Sequence, residues 1–84
     1  MSAIQLLTKQ GFENWGEGVF VLYREEYDSD EEGNHWPLFT VLRPSEEIAG
    51  GFDVLTMDDK GNGDYVTEFY SLWGAVDAHL RGEW

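Results

Sequence analysis

Between Phe52 and Phe69 two runs rich in β-branched and aromatic residues flank Asp58-Asp59-Lys60-Gly61-Asn62-Gly63. Asn and Gly accept the positive φ values that a tight reversal requires, which makes this the strongest hairpin signal in the chain. A chain that turns here must set Phe52–Met57 and Tyr65–Phe69 side by side and antiparallel. The same reasoning extends upstream. From Val19 to Tyr27 the residues follow a period of two, with Val19, Val21, Tyr23 and Tyr27 on one side and Phe20, Leu22, Arg24 and Glu26 on the other. The first half is apolar on both sides and the second half turns polar on one, as in a strand that leaves a core and runs into solvent. Residues 28–34 are charged or turn-forming and predict a hairpin loop. The returning strand covers Trp36–Arg43, and Pro37 places its start at an edge or in irregular pairing.

Helices are predicted at both ends. Ser2-Ala3-Ile4-Gln5 has the spacing of a capping box, and Gly11 suits the left-handed residue that ends a helix over residues 3–10. Ser71 caps a second helix carrying Leu72, Val76 and Leu80 at i, i+4 and i+8, with Gly82 ending it. Residues 44–51 form a connector in which Ser45 caps one short turn. Gly16 and Gly18 read as a break before the first strand. The expected fold is α+β with the order α-β-β-β-β-α: a four-stranded antiparallel meander with the N-terminal and C-terminal helices on one face. Residues 1–84 form a single domain with no internal repeat and no linker, and a radius of gyration of roughly 12 Å is expected for that length.

A domain this small has a thin core and often relies on disulfides or a metal, but the sequence contains no cysteine. Four Trp, five Phe and four Tyr are the alternative source of bulk. Trp15, Trp36 and Trp73 fall where a small core would use them, and Trp84 is placed to cover one end; the alternative is that some of the four sit at an interface, where aromatics are enriched as anchors. No signal peptide or membrane-length apolar run is visible, so a reducing cytoplasm is the expected compartment.

No motif identifies an activity. Asp28-Ser29-Asp30-Glu31-Glu32-Gly33 resembles the start of a calcium loop, but position twelve is Phe39 rather than Glu, and the flanks read as strands. Counted from Asp58, the second acidic turn has Lys60 at position three and Phe69 at position twelve. Gly16-Glu17-Gly18 has Val21 where a dinucleotide fingerprint needs Gly. The serines have ready roles as caps or turn residues, and none stands in a nucleophile elbow. His35 and His79 lie far apart in sequence. A non-enzymatic protein without cofactor or metal is expected.

The charge asks for its own explanation. With 17 Asp and Glu against 5 Lys and Arg, the net charge is −12. Self-repulsion on this scale opposes compaction, and solubility requires a net charge of only about 2–8 in a small domain. Halophilic adaptation is one explanation; a functional negative surface is the other. Such a surface repels nucleic acid and anionic membranes and attracts a basic protein. The acids gather at two predicted hairpin tips, Glu25, Glu26, Asp28, Asp30, Glu31 and Glu32 on the first and Asp58, Asp59 and Asp64 on the second, and these nine are the expected partner-binding residues. Alternate residues on a strand stand about 6.8 Å apart, so a strand face can display carboxylates where phosphates would lie along a nucleic acid.

In size, charge and compact α+β layout the chain resembles the small phage-encoded inhibitors of bacterial defence, anti-CRISPR proteins and DNA mimics among them. The resemblance covers the whole chain and specifies no residue. It implies a stoichiometric inhibitor, monomeric or a small homo-oligomer, that occupies the nucleic-acid-binding surface of a defence complex in the host cytoplasm. An immunity or antitoxin protein that neutralises a basic nuclease toxin uses the same electrostatics, and a small housekeeping interaction domain is a third reading.

Overall fold

A computed structural model describes the backbone of residues 1–84 and every side chain except those of residues 25–27. The chain runs α1 (Ala3–Lys9), β1 (Glu13–Gly16), β2 (Val19–Ser29), β3 (His35–Pro44), β4 (Phe52–Asp58), β5 (Gly63–Phe69) and α2 (Leu72–Leu80). The strands form one antiparallel sheet in the order β1-β2-β3-β4-β5. The meander and both helices are as expected, but the sheet has five strands rather than four.

The additional strand is β1. Its four residues, Glu-Asn-Trp-Gly, are too few to display an alternation. The glycines after it are the hairpin turn itself. Gly16 pairs with Val19, and between them Glu17 and Gly18 have φ of 54° and 80°. Positive φ at both central positions defines the type I′ turn, whose twist matches that of the flanking strands. A Cβ at Gly18 would also stand 2.9 Å from the Pro44 ring, so the position requires glycine for space as well.

Both helices begin on the predicted caps. Ser2 Oγ accepts from the Gln5 amide at 3.1 Å while Gln5 Oε1 accepts from the Ser2 amide at 2.8 Å. Ser71 Oγ accepts from the Gly74 amide at 3.0 Å, and a Cβ on Gly74 would come within 3.2 Å of that oxygen. In the connector, Ser45 Oγ takes the amides of Glu47 and Ile48 as a cap would, although no helical turn follows. No helix among the described residues is long and apolar enough to cross a membrane.

The core lies between the helices and one face of the sheet. Phe20, Leu42 and Val54 stand in register across β2, β3 and β4. Leu7, Phe12, Ala75 and Val76 cover them. The buried positions of α2 are small, Ala75, Val76 and Ala78, which lets the helix lie close to the sheet. Trp15 and Trp73 are 66% and 54% exposed, so neither supplies the core bulk that was one of their two expected roles. Trp84 does close one end. Its ring packs on Phe12, Phe69 and His79, and its Nε1 donates to the Ala75 carbonyl at 2.8 Å. Its backbone oxygen is held by Arg24 Nη2 and His79 Nδ1, each at 2.9 Å, and the same guanidinium donates to Thr40 Oγ1.

The β2–β3 hairpin outruns its neighbours. Tyr23 pairs with Phe39, yet Glu26 pairs with Leu38, so β2 carries extra residues at a bulge. β4 ends where Asp58 meets Leu38, and β3 continues alone with β2 from Pro37 back to His35. Pro37 therefore lies in a central strand, but in the part with a neighbour on one side only, where its missing N–H is no defect. The overhang lengthens the molecule to 44 Å along one axis and gives a radius of gyration of 13.3 Å, above the value for an even globule.

Leu42 is fully buried at the centre of the cluster, and Leu42→Ala is expected to cost about 2–5 kcal/mol by chemical denaturation, a large part of a small domain's stability. A second prediction concerns pH. Burial beside Phe12 and Trp84, with the Arg24 charge, holds the His79 imidazole below its ordinary pKa of 6.5, against the pull of its hydrogen bond to Trp84. The unfolded chain then takes up a proton before the folded one does. The stability contributed is complete above pH 6.5 and falls as pH drops through the lowered folded value. Urea midpoints measured on both sides of that value decline toward acid in the native protein, and His79→Gln removes this component of the decline.

Candidate functional site

In a meander, alternate strands run the same way, so the β2–β3 and β4–β5 loops emerge at the same end of the sheet. The two acidic tips, distant in sequence, share that end. They are also built alike. Asp30-Glu31-Glu32-Gly33-Asn34 and Asp58-Asp59-Lys60-Gly61-Asn62 follow one pattern, Asp-x-x-Gly-Asn. In each, the Asp amide donates to the Asn carbonyl and the Gly amide donates to the Asp carbonyl. Gly33 and Gly61 sit at φ of 85° and 87°, the left-handed position that closes such a loop. The Asp carboxylate completes the turn. Asp30 Oδ1 accepts from the amides of Glu32 and Asn34, and its Oδ2 from Asn34 Nδ2. Asp58 accepts from Lys60 and Asn62 in the same way.

Two of the expected partner-binding carboxylates thus have a structural duty. Bonds from the Asn34 side chain and amide hold the Asp30 carboxyl below its ordinary pKa of 3.8, against slight desolvation. At Asp58 desolvation pulls upward, and the amides of Asn62 and Lys60, the Asn62 side chain and the Lys60 charge outweigh it. Both remain charged while fixed in place. Glu31, Glu32 and Asp59 stand exposed at the corners of the two turns. Glu25 and Glu26 lie outside the residues whose side chains are described.

The remaining two acids meet Asp58. Asp28 pairs with Trp36, Leu38 with Asp58, and Thr56 with Asp64, three registered pairs across β2 to β5. By register these residues continue the sheet face that the helices cover further along. Beyond the helices they line a hollow of about 260 Å³, with Asp28, Asp58 and Asp64 around Trp36, Leu38 and Thr56. Trp36, expected in the core, is half-buried in the overhang and forms part of this lining.

The electrostatics of this end are one-sided. Arg81 pairs with Asp77 and Glu83 beyond α2, and Arg24 is engaged by Thr40 and Trp84. Lys60 is the one base within the tips, and among the described residues no ion pair involves Asp28, Asp30, Glu31, Glu32, Asp58, Asp59 or Asp64. Nor does any group of three or more His, Asp or Glu among the described residues converge as a metal would require. Carboxylates around an indole suit the head and alkyl stem of a Lys or Arg, through charge-assisted hydrogen bonds and contact with the ring face. No family model matches the sequence, and comparisons with curated proteins and with solved structures give no match.

Asp58→Ala is expected to lower the melting temperature because it strips acceptors from the turn, while Asp59→Ala, next to it and exposed, leaves the melting temperature unchanged. Below pH 3.8 the unfolded carboxyls take up protons before Asp30 and Asp58 do, so the stability these turns contribute is complete above that value and is lost as pH falls through the lowered folded values. Thermal melts at decreasing pH show a smaller acid loss for Asp58→Ala than for the native chain.

Proposed function

We propose that the protein is a non-enzymatic inhibitor whose carboxylate-bearing end occupies a basic, nucleic-acid-binding surface of a bacterial defence complex, in the manner of an anti-CRISPR or DNA-mimic protein. The observation that carries this reading is the convergence of both acidic tips, with Asp28, Asp58 and Asp64 in one hollow floored by Trp36 and Leu38. An acidic surface needed only for solubility has no reason to set aromatic and aliphatic side chains among the acids. Asp30 and Asp58 tie the tips into defined turns by hydrogen bonds, which favours binding because less order has to be gained on contact. Opposite charge on a partner's groove speeds encounter and makes it sensitive to salt.

The test is capture from a bacterial lysate on the immobilised protein, comparing the native chain with Asp28→Lys/Asp59→Lys/Asp64→Lys, which spares the turn-forming Asp30 and Asp58. Nucleic-acid-binding proteins are expected on the native chain, displaced by excess duplex DNA or RNA and by salt near 1 M, where the screening length shrinks to about 3 Å. The triple variant is expected to capture none of them while keeping its circular dichroism spectrum. Equal capture by the variant, or capture indifferent to salt and nucleic acid, contradicts the reading.

A further inference from the structure

The sheet has a second apolar surface, opposite the helices. Val21, Val41 and Leu55 lie side by side in register across β2, β3 and β4, each at most 8% exposed. Their strand neighbours Phe20, Leu42 and Val54 belong to the cluster under the helices, and these three do not. Around them runs an open groove of about 390 Å³ lined by Trp15, Val19, Phe39 and Met57 and bounded by Asp58, Asp59 and Gly61 of the second tip. Trp15 forms one wall, its indole Nε1 donating to Glu13 Oε2 at 3.1 Å. Glu13 borders an adjoining recess beside Val21. One register step further on the same face, Arg43 pairs with Asp53, and Glu46, Glu47 and Glu68 line the hollow there.

An apolar groove open to water and rimmed by polar residues is a mark of an association site. The charge around this one selects the occupant. A second copy placed face to face would bring two patches that each carry Glu13 and Asp59 into one contact, between molecules that each carry −12. A cationic chain meets no such repulsion. Its apolar side chains fill the groove while its lysines or arginines reach the rim. We infer that the helix-free face of the sheet is a docking groove for a cationic amphipathic segment of a partner protein, with aliphatic or aromatic side chains over Val21 and Val41 against Trp15, and Lys or Arg on Glu13 and Asp59. From the proposed function this takes only the sign of the partner's charge; the surface is a different one, meeting the acidic hollow only at the 58–61 tip.

The probe is a synthetic peptide of alternating leucine and lysine, titrated into protein with labelled methyl groups, with a lysine–serine peptide of equal charge and length as control. The leucine–lysine peptide is expected to shift the methyl signals of Val19, Val21, Val41 and Met57, whereas the control leaves them in place. Trp15→Ala, at an exposed position that does not support the core, is expected to weaken the leucine–lysine peptide by roughly tenfold, the loss typical of an anchoring aromatic. Equal binding of both peptides, no effect of Trp15→Ala, or methyl shifts that follow protein concentration without peptide (a second copy in the groove) overturns the inference. Asp28→Lys/Asp64→Lys alters the hollow on the helix side and leaves this titration unchanged, so failure of the groove and failure of the acidic end are told apart.

Discussion

The pairing of β3 with β4 is the constraint on which the rest of the molecule depends. Seven registered pairs, from Leu38–Asp58 to Pro44–Phe52, set which residues of the middle strands share a face. They put Leu42 and Val54 under the helices and Val41 and Leu55 on the opposite side. They also stop β4 at Leu38, which leaves Trp36 uncovered and brings Asp58 and Asp64 round to Asp28. A shift by one residue would exchange the two faces and take apart core, groove and acidic hollow together.

Against this ladder stands the repulsion of a chain with a charge of −12. The fold contains it in two ways. Much of the acid is carried to the far end of the overhang, away from the core. Two of the carboxylates, Asp30 and Asp58, also stabilise the turns that display the others, because each accepts hydrogen bonds from amides that the loop would otherwise leave to water. The same residue type therefore opposes the fold through its charge and supports it through its oxygens. That pairing also explains why the tips hold a defined shape although they are the most exposed parts of the sheet.

Most of the architecture is legible in local pattern. Capping serines, strand alternation and the Asp-Gly-Asn turns are each short-range signals, and each appears in the fold where its residues stand. What was not legible depends on longer range. β1 is too short to show a period, and its glycines read as an interruption when they were the reversal itself. The places of Trp15 and Trp36 depend on strand pairing, and that of Trp73 on which side of α2 meets the sheet, none of which a single segment reveals. The joining of Asp28, Asp58 and Asp64 depends on the β3–β4 register, set across a connector with no turn signature of its own. Asp-x-x-Gly-Asn occurs at both tips, and its repetition in the sequence marks Asp30 and Asp58 as turn residues.

The central claim is that one sheet register brings both acidic tips to a single end. Nuclear Overhauser contacts between strands test it most directly, since backbone protons of paired residues lie close across an antiparallel ladder. Contacts are expected between Leu38 and Asp58, between Asp28 and Trp36, and between Thr56 and Asp64 in the same molecule. Their absence in a folded sample, or contacts that pair Leu38 with a different residue of β4, would contradict it.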